Sequence, residues 1–152
     1  MANRKAGKGS ARLGDAEFRA AAKVRSALRR FLSETDRIAE QHGLTRRRYE
    51  LLLIVRGEAG GADGAVTMGV LAQQLLLTRQ SVTELVARAE EAGLLRRRYD
   101  ATDARVVRVG LTPAGMRSLD NTFAALQLER EQLAAYLADA LAQTNTAARR
   151  RS

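Results

Sequence analysis

Arginine, glutamine and hydroxyl side chains cluster in one short part of this chain. Residues 94–115, LLRRRYDATDARVVRVGLTPAG, carry five arginines and two aspartates between short aliphatic runs. Shortly before them, the stretch TRQSVTE begins at Thr78. Arginine binds guanine or phosphate with two parallel hydrogen bonds, glutamine binds adenine, and serine or threonine can meet either. These residue types therefore indicate binding to a polyanion, with nucleic acid as the first candidate.

The same inventory argues against catalytic and metal chemistry. The 152 residues include no cysteine and a single histidine, His42. Thiol catalysis, disulfides and cysteine-ligated zinc are therefore excluded, and a histidine triad or a multi-histidine metal site is not expected. No acidic cluster suggests a site for a hard cation. We expect neither enzymatic activity nor a metal nor a cofactor.

The charge balance narrows the class of partner. The formal net charge is +9, which suits nucleic acid, an anionic membrane surface or an acidic protein. The longest run of bulky aliphatic residues is Leu51–Val55, far below the roughly 18 residues of a membrane span. No apolar segment follows the basic N-terminus, so a secretory signal is not indicated. We expect a soluble, cytoplasmic protein.

Composition and periodicity predict a mainly α-helical protein. A basic, glycine-rich tail over residues 1–14 precedes a helical pattern over residues 15–43, which Asp15 can cap and Gly43 can end. A helix of about 40 Å is too long to bury in a monomer of this size, so we expect it to pack on a partner. Its predicted stripe is Phe18, Ala22, Leu28, Leu32, Thr35 and Ile38.

Threonines begin the next three predicted helices. Thr45 caps a helix with Tyr49, Leu52 and Leu53 on its core face. Thr67 and Thr78 cap two shorter helices joined by a brief turn. Two such helices form a helix-turn-helix, although a helical hairpin in a bundle gives the same pattern. The predicted inner faces of the two helices are Val70, Leu71, Leu75, Val82, Leu85, Val86 and Ala89.

Two strand patterns follow directly, which favours a winged helix. Residues 94–99 and 106–111 are rich in strand-forming residues, and DATDA between them supplies a turn. Pro113 then suits the first turn of a helix capped by Thr112. That helical pattern runs to about Gln143, and between Leu126 and Leu133 it can either break or expose a polar patch. The predicted organisation is tail 1–14, dimerisation helix 15–43, winged helix-turn-helix 44–112, dimerisation helices 113–143 and tail 144–152.

The helix that begins after Thr78 is the predicted reader of base edges in the major groove, although a solvated polar face would look similar. Arg96 and Arg98 share one strand face and would bind phosphates, while Arg105 near the hairpin tip suits a minor groove. Asp103 would brace the tip, either by capping the turn or by pairing with an arginine. The predicted DNA-binding residues are Thr78, Arg79, Gln80, Ser81, Thr83, Glu84, Arg88, Arg96, Arg98 and Arg105.

The order of these motifs resembles the MarR family of bacterial transcription regulators. The similar stretches are LTRRRYELLLIV, VTMGVLAQQLLLTRQSVTELVARAEEAGLLRRR and the spaced motif from Asp103 to Gly115. The resemblance implies a homodimer formed by the terminal helices, with the helix after Thr78 in the major groove and Arg105 in the minor groove. It also implies a cleft for a small phenolic or anionic ligand that weakens DNA binding. Glu84 departs from the arginine that family members often carry.

The predicted function is a sequence-specific transcription regulator, a repressor released by a small ligand, on a near-palindromic operator. The alternative is a winged-helix module that assembles with an acidic protein and does not read DNA. Tyr49, Arg46 and His42 lie near the junction where a ligand could sit. They define no ligand site by themselves, and the ligand-binding residues stay unassigned.

Overall fold

The computed structural model describes residues 14–60 and 64–149, which form a helical protein with one small sheet. The predicted N-terminal tail lies outside the described residues apart from Gly14. The elements in chain order are α1 (Asp15–Gln41), α2 (Arg46–Glu58), β1 (Val66–Thr67), α3 (Met68–Leu75), α4 (Arg79–Glu91), β2 (Leu95–Tyr99), β3 (Val107–Leu111), α5 (Pro113–Ala125) and α6 (Gln127–Arg149).

Four threonines start four of these helices, as predicted. Thr45, Thr67, Thr78 and Thr112 adopt extended backbone and accept a hydrogen bond from the backbone N–H three residues later. Each hydroxyl thereby satisfies one of the N–H groups that the first turn of a helix leaves unpaired. These starts are local, which explains why a single sequence predicts them well.

The sheet has three strands, so the prediction of a plain hairpin was incomplete. Its order is β1-β3-β2, with both pairings antiparallel. The unpredicted strand β1 pairs Val66 with Val109, and it is too short to show the alternation that predicts strands. An ideal Cβ on Gly110 would lie 3.0 Å from the carbonyl oxygen of Gly64, so a side chain there would crowd the segment leading into β1.

The hydrophobic core lies in the winged-helix region and contains most of the apolar positions predicted for α2, α3 and α4. One prediction was wrong, because Leu53 is 38% exposed while its neighbour Leu51 is fully buried. Val70 is only half-buried. The fully buried large side chains of this core are Leu44, Leu51, Leu52, Val55, Leu71, Val82, Val86, Leu95, Val109 and Leu126.

The C-terminal helical region divides at Leu126, where the sequence allowed a break. Arg130 stacks over the Phe123 ring at 3.5 Å from its centroid and donates a hydrogen bond to the Phe123 carbonyl oxygen. It thus satisfies a carbonyl that the end of α5 leaves without a helical partner. The predicted end at about Gln143 was too early, because α6 continues to Arg149 into the predicted tail.

The chain forms two compact units. One spans Leu32–Arg130, and the other comprises the described residues up to Phe31 together with the described residues from Glu131 onward. The first unit is wider than the predicted winged-helix domain 44–112, because Ile38 and Leu119 join its core. Many apolar side chains of α1 and α6 remain exposed, namely Phe18, Leu28, Leu32, Leu128, Tyr136 and Leu141.

Three helices end in the same backbone motif, but one of them uses an unusual residue. After α1 and α4, the left-handed position is held by Gly43 and Gly93, with φ of 76° and 73°. After α3 it is held by Leu76, with φ of 53°, and this side chain is 90% exposed. The N–H of Leu77 bonds the Ala72 carbonyl at 3.1 Å, which completes the motif. A leucine therefore adopts a conformation that normally favours glycine.

We expect Leu76→Gly to raise the free energy of unfolding by about 1 kcal/mol, because it removes left-handed strain and almost no buried surface. Urea denaturation of the purified protein measures the change. Gly93→Leu is the reverse control and should lower the same free energy. An unfolding free energy for Leu76→Gly at or below the wild-type value would contradict the strain argument.

Candidate nucleic-acid interface

The first turn of α4 is built by Thr78 and presents an exposed polar face. The Thr78 hydroxyl oxygen accepts a hydrogen bond from Ser81 N at 3.2 Å and lies 2.9 Å from Ser81 Oγ. Both hydroxyls are therefore engaged in the cap. The exposed residues that follow are Arg79, Gln80, Thr83, Glu84 and Arg88, while Val82, Val86 and Ala89 are buried on the opposite face.

Hydrogen bonds within α4 determine which donors and acceptors of this exposed face remain free to bind a base. Thr83 Oγ1 donates to the Arg79 carbonyl oxygen at 2.8 Å, so in this rotamer the hydroxyl can only accept, and its methyl group can contact thymine. Gln80 Nε2 donates to Glu84 Oε1 at 3.3 Å. One amide N–H and the carbonyl oxygen of Gln80 remain for a base such as adenine.

The register of the sheet sorts the arginines of β2 onto two faces. Leu95 is buried, and Arg97 lies on the same face, as strand alternation requires. Arg96 and Arg98 point to the other face, where Arg98 lies directly opposite Arg108 on β3. This arrangement agrees with the prediction that Arg96 and Arg98 share a face. Both are exposed.

Two of the five arginines in this segment are held by carboxylates. Arg97 Nε lies 3.1 Å from Glu90 Oε2, and Arg108 Nε lies 2.8 Å from Asp100 Oδ2. Among the described residues, no carboxylate pairs with the other three, Arg96, Arg98 and Arg105. The segment therefore presents three arginines whose donors are available to an outside anion.

The sequence left open whether Asp103 caps the turn or pairs with an arginine, and the structure gives these two roles to different aspartates. Asp103 Oδ1 accepts a hydrogen bond from Arg105 N at 3.0 Å, and the Asp103 carbonyl oxygen accepts one from Val106 N at 2.9 Å. Asp103 thus caps the turn, and the ion pair with an arginine belongs to Asp100. Arg105 follows directly, exposed at the tip of the wing.

Asp100 is the most heavily bonded carboxylate of the wing. It accepts hydrogen bonds from the Thr102 hydroxyl at 2.6 Å, from Thr102 N at 3.0 Å and from Arg108 Nε at 2.8 Å. The bonds from Thr102 and then Arg108 hold the pKa of Asp100 well below its usual range. Neither ion pair was predicted from the sequence, although alternation across the turn places Asp100 and Arg108 on one face.

The three residues named near a ligand cleft differ in their exposure and in their contacts. Tyr49 is buried, and desolvation raises the pKa of its hydroxyl, an effect that the charge of Arg130 partly opposes. Arg46 lies 3.8 Å from Asp36, and His42 is exposed just after α1. Ligand-binding residues therefore remain unassigned.

Two searches of the described residues are negative. Residues 14–60 and 64–149 contain no group of three or more histidine, aspartate or glutamate side chains placed to hold a metal ion. Within the same ranges, no helix combines the length and the apolar character needed to cross a membrane.

Comparison with known proteins identifies the fold and finds a family model that matches part of the chain. Residues 42–106 match the model of the MarR family, which confirms the resemblance seen in the sequence motifs. No curated protein sequence is significantly similar to the chain. MarR-family regulators are DNA-binding proteins without enzymatic activity, in agreement with the prediction of a non-enzymatic protein.

Solved structures of the same fold cover most of the chain. AbsC, a MarR family transcriptional regulator from Streptomyces coelicolor, has a TM-score of 0.69 at 20% identity, covering 91% of this chain and 93% of AbsC. A MepR mutant from S. aureus bound to an oligodeoxyribonucleotide has a TM-score of 0.61 at 22% identity, with 79% and 94% covered. An E. coli MarR mutant has a TM-score of 0.65 at 18% identity, with 86% and 93% covered.

We expect Asp100→Asn to destabilise the protein at pH 7, because the ionised carboxylate is bonded only in the folded state. The lowered folded pKa means that this stabilisation is complete above the unfolded pKa, about 3.9, and is lost as the pH falls towards the folded pKa. Urea denaturation from pH 7 to pH 3 measures the free energy of unfolding of both proteins. The difference between variant and wild type should shrink below about pH 4. Asp120→Asn, at an exposed position of α5, is the control. If the difference in unfolding free energy stays constant across this pH range, the carboxylate charge does not contribute to stability.

Proposed function

We propose that this MarR-family chain is a dimeric regulator that binds a specific DNA sequence through α4 and the wing. The observation that carries the proposal is the pairing of an exposed polar N-terminal face of α4 with an unpaired, braced Arg105 at the wing tip. A recognition helix in the major groove and a wing arginine in the minor groove together read base edges and groove shape. The MepR mutant bound to an oligodeoxyribonucleotide supports the choice of DNA.

The residues divide into positioning and reading contacts in this proposal. Arg79, Gln80 and Thr83 meet bases, with Glu84 holding Gln80 and able to accept from cytosine. Arg96, Arg98 and the start of α4 supply phosphate contacts, and Arg88 adds charge further along the exposed face. Thr78 and Ser81 hold the start of the helix. The protein acts in the cytoplasm, where its DNA target lies.

A homodimer would place two such surfaces on one duplex. The exposed apolar side chains of α1 and α6 support this, because a monomer in water would leave Phe18, Leu28, Tyr136 and Leu141 uncovered. Two-fold symmetry implies a near-palindromic operator with half-sites about one helical turn, 34–36 Å, apart. The proposed role is repression, relieved by a small phenolic or anionic ligand.

Random-site selection with purified protein tests the proposal, and Gln80→Ala sharpens it. The wild type should select a near-palindromic consensus, and its affinity should fall steeply with salt. Gln80→Ala should relax one base position per half-site, at a cost of about 1–3 kcal/mol. Gln73→Ala, an exposed glutamine of α3, is the control. An unchanged consensus for Gln80→Ala would remove its base-reading role. No consensus for the wild type, with weak salt dependence, would favour assembly with an acidic protein.

Arg105→Ala should weaken binding to all selected sequences and reduce the salt slope by about one. Arg105→Lys should restore the slope but only part of the affinity, because lysine keeps the charge without the planar guanidinium. Titrations of labelled operator at several salt concentrations measure both quantities. Wild-type affinity and slope in Arg105→Ala would contradict insertion of the wing tip.

A further inference from the structure

Glu90, near the C-terminal end of α4, makes a two-point contact with the wing. Its Oε1 accepts a hydrogen bond from Arg97 N at 3.2 Å, and its Oε2 lies 3.1 Å from Arg97 Nε. One carboxylate therefore engages both the backbone and the side chain of the same strand residue. The contact links the predicted recognition helix directly to β2.

The backbone half of this contact closes an open edge of the sheet. β2 is an edge strand of the described sheet, in which it pairs only with β3. Asp100 N bonds to the Val106 carbonyl oxygen, so alternation turns the N–H groups of even-numbered residues towards β3 and that of Arg97 outwards. Glu90 thereby supplies the acceptor that a further strand would otherwise supply.

The position of Glu90 is otherwise unfavourable for a carboxylate. The C-terminal end of a helix carries partial negative charge, which repels an acidic side chain. A carboxylate close to a DNA-binding surface also opposes phosphate binding. Glu91 shares both disadvantages and is exposed, and its carboxylate has no hydrogen bond or ion pair among the described residues. The two glutamates therefore differ chiefly in the contact with Arg97.

We propose that Glu90 is a positioning residue that fixes the direction of the wing relative to α4. The inference rests on the proposed function, since helix and wing must then meet neighbouring grooves of one duplex. Beyond the backbone turn at Gly93, Glu90 adds a second connection between the two elements. A wing held in place before binding loses less conformational freedom on the DNA, so Arg105 can enter its groove at a lower cost.

Glu90→Ala, compared with Glu91→Ala, tests this role, because the two variants remove the same charge from the same end of α4. Glu90→Ala should weaken operator binding roughly threefold to tenfold. Glu91→Ala should leave operator binding unchanged or make it tighter. In an Arg105→Ala background, Glu90→Ala should cost less than twofold, because Glu90 acts through the wing arginine. A merely structural effect on α4 would persist in that background and would overturn the inference.

Hydrogen exchange provides a readout without DNA. The Arg97 amide should exchange faster in Glu90→Ala than in Glu91→Ala, while the amides of Val82 and Val86 stay protected in both. If Glu90→Ala does not fold, Glu90→Gln replaces it. That variant keeps an acceptor for Arg97 N but loses the ion pair, and it should show a smaller loss of affinity in the same direction.

The outcomes separate this inference from the proposed function. If the wild type selects an operator and Glu90→Ala binds it like Glu91→Ala, the positioning role is wrong and the DNA-binding proposal stands. If the wild type selects no sequence, both proposals fail. If Glu90→Ala weakens operator binding when Arg105 is present but not in the Arg105→Ala background, the result supports both proposals.

Discussion

The junction at Gly93 and Leu94 holds α4, the wing and α5 together, and the proposed interface depends on it. Gly93 ends α4 with φ of 73° and accepts a hydrogen bond from the Thr112 hydroxyl at 2.6 Å. The Leu94 carbonyl oxygen accepts Thr112 N at 3.1 Å. A Cβ on Gly115 would lie 2.0 Å from that oxygen, so α5 can approach only with glycine there. A shift at this point would move the helix and the wing apart.

Two carboxylates form ion pairs with arginines of the strongly basic wing. Arg98 and Arg108 lie opposite each other across β2 and β3, an arrangement that costs stability when both charges are free. The ion pair of Arg108 with Asp100 reduces this repulsion and braces the hairpin. The pair between Glu90 and Arg97 neutralises a second arginine and connects β2 to α4. Arg96, Arg98 and Arg105 are the arginines of this segment that stay unpaired among the described residues, and the proposed DNA contacts use them.

Local signals made much of the fold predictable. The threonine caps, Pro113 and the strand alternation act within a few residues, so the sequence predicts most helices, the wing and the polar face of α4. Predictions failed where contacts between distant segments decide. Leu53 is exposed because α2 turns Leu51 inwards, and β1 exists because Val66 reaches Val109. No periodicity within either segment reports these contacts.

The sequence by itself determined the winged-helix order, the basic character of the hairpin and the residue types available to read bases. Only the tertiary structure decided which arginines are free. In the sequence, nothing distinguishes Arg97 and Arg108 from the other arginines of the segment. Folding places Glu90 next to Arg97 and Asp100 next to Arg108. An ion pair depends on distance in space. Strand alternation places Asp100 and Arg108 on one face, but no pattern within the sequence reports that Glu90 of α4 meets Arg97 of β2.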